Sequence, residues 1–111
     1  MPHITVRGFS KEGLIKMAKP LKSAFVQATG INAEYVKIFY SPICRVDEAE
    51  ETAVDVYWMH RPQELCDLAT ETITAFMQQQ GREFVQVTFT EFPGNLFYEN
   101  GNISVQGVQT R

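Results

Sequence analysis

Apolar residues in this chain recur at every second position, then at helical spacing, then at every second position again, and the whole cycle is repeated once. Side chains alternate across a strand but return every three to four residues along a helix, so this order predicts two consecutive β-α-β units. In the first unit, His3 to Phe9 alternates as a strand. Ser10 can cap a helix over about 11–29 that carries Leu14, Ile15, Ala18, Leu21, Phe25 and Ala28 and stops at Gly30. Pro20 falls inside that helix, where its missing donor should kink or divide it near Lys19. Tyr35 to Cys44 reads as the second strand, with Val36, Ile38 and Tyr40 on one face and Lys37 and Phe39 on the other. In the second unit Ala53 to His60 is a strand and Pro62 takes a first helical position. Leu65, Cys66, Leu68, Ala69, Ile73, Phe76 and Met77 then mark a helix that Gly81 closes, and Phe84 to Phe92 alternates again.

Between the units, Asp47-Glu48-Ala49-Glu50-Glu51 reads as an exposed connection, because so many carboxylates are costly to bury. After Pro93-Gly94, Asn100-Gly101 stands between two apolar runs, which signals a C-terminal hairpin. Right-handed crossovers place both helices on one face of a four-stranded mixed sheet, giving an α/β (α+β) fold with a C-terminal β-hairpin. One domain is expected over 1–111, with unit one at about 2–46, unit two at about 53–92 and the hairpin at about 95–106. Alternation puts His3, Thr5, Arg7, Lys37, Phe39, Asp55, Tyr57, Met59, Gln86, Thr88 and Thr90 on the face away from the helices. Two outcomes stay open for that face: contact with water, or a polar channel enclosed by several copies of the chain.

Composition narrows the partners. The 111 residues carry a net charge of -3, without the clustered Lys and Arg excess that polyanion binding requires, so no nucleic acid is expected. Apolar runs are short and no basic-then-apolar leader opens the chain, so no membrane partner and a cytoplasmic location are expected. Cys44 and Cys66 lack redox or zinc spacing and read as reduced packing residues. With His3 and His60 the only histidines, no phosphate loop and no nucleophile elbow, neither a metal nor another cofactor is expected.

Several local sequences carry a family resemblance. The chain begins Met1-Pro2-His3-Ile4, with Pro2 at the head of the first strand, and Gln27-Ala28-Thr29-Gly30 is followed by Glu34-Tyr35-Val36. Together with the element order and the aromatic-rich stretch from Val85 to Asn100, these resemble the tautomerase superfamily in its macrophage migration inhibitory factor branch, here as a bacterial member. The resemblance implies a homotrimer, and a general base made from the chain terminus. Removal of Met1 would leave Pro2 as a secondary amine, whose pKa burial and nearby cations would lower toward neutrality. Such an amine can move a proton α to the carbonyl of a small 2-oxo acid or enol while a cation stabilises the enolate oxygen. By the same resemblance Lys37 matches a second-strand arginine that holds a substrate carboxylate in the 4-oxalocrotonate tautomerase family.

Arg61, at the end of the third strand, is a second candidate anion handle, and Phe92, Phe97, Tyr98 and Trp58 are candidate apolar walls. Arg7 is expected to pair with an acid in the sheet. Ile31 stands where the inhibitory factor branch has an active-site lysine, and Val85 and Val87 stand where it has Tyr and Asn, so substrate preference does not carry over. Two rival functions follow from the same residues. A chain that keeps Met1 has only an amide nitrogen at Pro2 and suits a non-catalytic trimeric assembly or binding protein. The β-α-β-β-α-β order also describes a ferredoxin-like regulatory domain.

Overall fold

A computed structural model describes residues 1–104. The first strand, β1 (His3–Arg7), buries Ile4 and Val6 on one side. Ser10 ends the turn that follows, and its hydroxyl oxygen accepts the Gly13 N–H at 3.0 Å to open α1 (Lys11–Thr29). Gly30, at φ 74°, closes α1 with its N–H on the Val26 carbonyl at 2.8 Å. Pro20 does not divide this helix. Pro20 and Lys16, whose carbonyl loses its usual donor, are both exposed, so water can replace the missing hydrogen bond. Leu14, on one side of the proline, and Leu21 and Phe25, on the other, are all buried against the sheet.

The second strand, β2, is Lys37–Tyr40, shorter at both ends than the sequence suggested. Asn32 accepts the Glu34 N–H and starts a single 3-10 turn, Ala33–Tyr35, where the strand was expected to begin. Pro42, which has no N–H to give a ladder, lies just beyond its end. The acidic connection is exposed from Asp47 to Glu50 as expected, Glu51 is half-buried, and Arg45 gathers it through contacts with Asp47, Glu48 and Glu51. Then come β3 (Thr52–Met59), α2 (Gln63–Gln79) and β4 (Val85–Phe92). Pro62 stands one position outside α2 as its N-cap, because its ψ of 151° is extended, so the first helical residue is Gln63. After a 3-10 turn, Gly94–Leu96, the short strands β5 (Tyr98–Glu99) and β6 (Asn102–Ile103) form the hairpin. Asn100 (φ 53°) and Gly101 (φ 83°) adopt the two left-handed conformations that a two-residue hairpin turn needs. The expected continuation of the hairpin to residue 106 lies outside the described residues.

The strands lie in the order β2-β1-β3-β4. Strands β1 and β2 pair in parallel, as do β3 and β4, while β1 and β3 run antiparallel and join the two units. This order excludes the ferredoxin-like alternative, in which the parallel strands of each unit are split by another strand. Ile4, Val6, Val54, Val56 and Trp58 form the sheet side of the core, and Leu14, Leu21, Phe25, Ala69, Ile73 and Met77 form the helix side. Each large side chain buried there contributes about 1.5–3 kcal/mol. The opposite face is exposed or half-buried except at Met59, which is fully buried at the end of β3 where the register sets it beside Phe92. Arg7 makes no ion pair among the described residues.

Two further features bind the ends of the core together. Gly8, at φ 103°, passes so close to the Glu51 carbonyl that any Cβ would collide with it. Arg82 donates to the Gly8 carbonyl at 2.5 Å and stacks on Phe9 at 3.8 Å, tying the turn before β4 to the turn before α1. Both cysteines are free, but Cys44 is exposed and so is not a packing residue. Among the described residues no helix is long and apolar enough to cross a membrane.

Candidate functional site

The start of the chain is buried. Met1 is 3% exposed, and Pro2, just before β1, is buried as well. Lys37 donates its backbone N–H to the Pro2 carbonyl at 3.1 Å, which sets the parallel register of β2 against the terminus. A cavity of about 210 Å³ opens there, and its lining includes Met1, His3, Glu34, Lys37, Phe97 and Glu99. Burial lowers the Met1 amine from 8.0 to about 6, helped by the charges of Lys37 and Arg61 and opposed by Glu99. Burial also lowers His3, with the amine and Lys37 adding to the effect. Near neutral pH an uncharged amine therefore stands beside the Lys37 cation, and since Glu34 and Glu99 share the lining, an acidic ligand fits only on the Lys37 side.

The residues singled out in the sequence do not all meet here. Lys37 and Phe97 line the cavity with Met1. Arg61 acts on the amine through its charge, and its guanidinium lies over the Trp58 ring at 5.2 Å. The Arg61 Nε is buried without a hydrogen-bond partner among the described residues, and burial draws the guanidinium below its usual range against the pull of Glu91. Phe92 lines a different, open depression with His60 and Glu91, although its ring touches Phe97 at a centroid distance of 5.8 Å. Trp58 is core rather than wall, and Tyr98 is 55% exposed on the hairpin.

Three carboxylates escaped the sequence reading, the first being Glu34, which lines the amino-terminal cavity from the turn before β2. Glu99 comes to the cavity through the hairpin, whose placement against the terminus no local pattern reveals. Glu91 did leave a signal, because it continues the core-facing phase of Val85, Val87 and Phe89 along β4. It accepts the Trp58 indole N–H at 2.9 Å, lies 3.4 Å from the Cys66 thiol and meets His60 Nδ1 at 3.0 Å. Burial acts to raise Glu91, but these donors outweigh it and hold the carboxyl below its usual range. For Cys66, burial and the neighbouring Glu91 push the thiol up to about 11, so it is protonated and inert. Among the described residues no cluster of His, Cys, Asp and Glu could hold a metal ion.

Two β-α-β units joined through antiparallel β1 and β3, with a hairpin closing over the terminus, are the architecture of the tautomerase superfamily. A macrophage migration inhibitory factor-like protein from Entamoeba histolytica superposes with a TM-score of 0.74 at 12% identity, covering 93% of this chain and 98% of that one. A wild-type fused 4-OT described as an asymmetric trimer superposes with a TM-score of 0.77 at 16% identity, over 95% and 98% of the two chains. Within this fold the chain belongs to the family described as domain of unknown function DUF1904, whose model matches residues 1–103. It is 25% identical to the DUF1904 domain from Sebaldella termitidis ATCC 33386, with a TM-score of 0.78 and coverage of 91% of this chain and 97% of that one. No curated protein matches the sequence.

Proposed function

We propose that this protein is a homotrimeric tautomerase that moves a proton between carbon and oxygen on a small 2-oxo acid or enol, in the cytoplasm, with Pro2 as general base. Removal of Met1 would turn the Pro2 amide into a secondary amine and enlarge the cavity by the volume of the lost side chain. The observation that carries this reading is the terminal amine already held at about 6 by burial and by Lys37 and Arg61, since the same surroundings would act on an amine one residue further in. In the proposed reaction the C–H bond α to the carbonyl breaks, its proton passes to the Pro2 nitrogen, and its electron pair moves to the carbonyl oxygen. Lys37 and Arg61 hold the carboxylate and stabilise the developing enolate, while Phe97, with Phe92 behind it, provides an apolar wall.

An enol-to-keto assay on untagged protein, paired with its intact mass, tests the assignment. A chain lacking Met1 should turn over the enol, and Pro2→Ala should slow it by about 100-fold or more, the usual contribution of a general base. Equal rates for the two proteins would remove Pro2 from the chemistry. The rival reading of a non-catalytic trimeric assembly protein rests on the packing of Met1, which is only 3% exposed and so contributes to the structure where it is kept. A native mass that retains Met1, with no turnover, would favour it.

A further inference from the structure

The open depression at the opposite side of the Phe92–Phe97 pair has chemistry of its own, independent of Pro2. Its volume is about 550 Å³, within the range of small-molecule sites, and His60, Glu91, Phe92, Pro93 and Gly94 line it. His60 is held at two points: its backbone N–H bonds the Phe92 carbonyl at 2.9 Å, and its ring Nδ1 meets Glu91 at 3.0 Å. Glu91 is itself fixed by the Trp58 indole and the Cys66 thiol, with its side chain only 25% exposed. Satisfying the Trp58 donor would need one acceptor oxygen. The second oxygen is spent on the histidine.

A carboxylate can only accept, so it fixes the proton on Nδ1 and leaves Nε2 of the neutral ring as a base. That nitrogen has no partner among the described residues, and the His60 side chain is 78% exposed at the rim of the depression. Among the described residues Glu91 is the only acid lining this depression, and Arg61 lies close enough to act on it, so the two charges offset and a neutral, partly apolar ligand is accepted, whereas Lys37, Glu34 and Glu99 all line the amino-terminal cavity.

The geometry points to a second proton-transfer site in which His60 is a general base, Glu91 is its positioning residue, and the ligand is a small uncharged carbonyl compound resting on Phe92 and Pro93. In the step, a C–H bond α to the carbonyl breaks and an N–H bond forms at Nε2. The electron pair moves to the carbonyl oxygen, which takes a proton from water, and the imidazolium so formed is stabilised by Glu91. The reverse sequence returns a solvent proton to carbon, so the net result is exchange of the α hydrogen with water.

Acetophenone in deuterated water, followed by the loss of its methyl proton signal, is a direct probe of this step. The full chain should accelerate exchange, and His60→Gln, at an exposed position that the fold does not need, should lower the accelerated rate by about 100-fold or more. A long-range proton–nitrogen spectrum should show His60 with its proton on Nδ1, and Glu91→Gln should move it toward Nε2 while slowing exchange. The proposal is overturned if the full chain and His60→Gln exchange equally. It is also overturned if the unaltered protein carries the His60 proton on Nε2, or if exchange survives His60→Gln and disappears in Pro2→Ala.

Discussion

Lys37 shows how one backbone contact can set the electrostatics of a site. Its N–H fixes β2 against the Pro2 carbonyl, and the same residue places a positive charge beside the terminal amine. Replacing it by Gln removes that charge but leaves the larger effect, burial, in place. The amine should therefore titrate above the present value of about 6 yet stay below the ordinary 8.0. The pH dependence of N-terminal acylation, read by mass spectrometry, measures this midpoint. An unchanged midpoint in Lys37→Gln would mean that the charge does not reach the amine. The sign for stability follows from the same depression. The folded chain binds this proton less well than the unfolded chain, so the amine's contribution is complete above about 8.0 and is lost as pH falls through about 6. Lys37 was legible through strand phase and the resemblance to a second-strand arginine, while its contact with the Pro2 carbonyl came only with the pairing of β2 to β1. Glu99 was not, because its role depends on where a hairpin lands.

Among the elements, α1 is the one in which local chemistry and tertiary packing disagree. Pro20 costs an interior helix about 3 kcal/mol, yet α1 runs unbroken from Lys11 to Thr29 because Leu14, Leu21 and Phe25 hold both halves to the same sheet. Pro20→Ala should restore the bond to the Lys16 carbonyl and stabilise the protein by about 1–2 kcal/mol, since the proline also stiffens the unfolded chain and part of the gain cancels. Urea unfolding checks this through a higher midpoint at unchanged slope. A lower midpoint would show that the proline's fixed geometry is needed where it stands. Element type was readable throughout because each segment's period is strong, whereas the ends were set by single residues. Asn32 captured the Glu34 N–H and replaced the start of a strand with a turn, and the extended ψ of Pro62 left it outside α2. Both are competitions between local hydrogen bonding and regular structure that periodicity does not register.

The whole molecule leaves one side of its sheet uncovered, and that side is not simply polar. Phe39 and Tyr57 are 43% and 40% exposed, and His3 packs edge-on to Phe39 at a ring distance of 5.0 Å. The sequence placed these residues on the face away from the helices but left its surroundings open, since alternation names a face without saying what meets it. The outer strands β2 and β4 each have an edge without a partner strand among the described residues. Such edges are hidden when copies assemble, and a C-terminal arm that extends a neighbour's sheet would do this in the proposed trimer. Exposed aromatic rings lose their contact with water in the same step, adding about 25 cal/mol for each Å² of apolar surface buried. Sedimentation equilibrium should then give three times the 12.6 kDa of one chain. Tyr57→Asp, which sets a second carboxylate beside Asp55 on the same face, should shift the mass toward that of one chain while the core, on the other side of the sheet, stays folded. A wild-type mass of one or two chains would leave the open face to water and would overturn the proposed trimer.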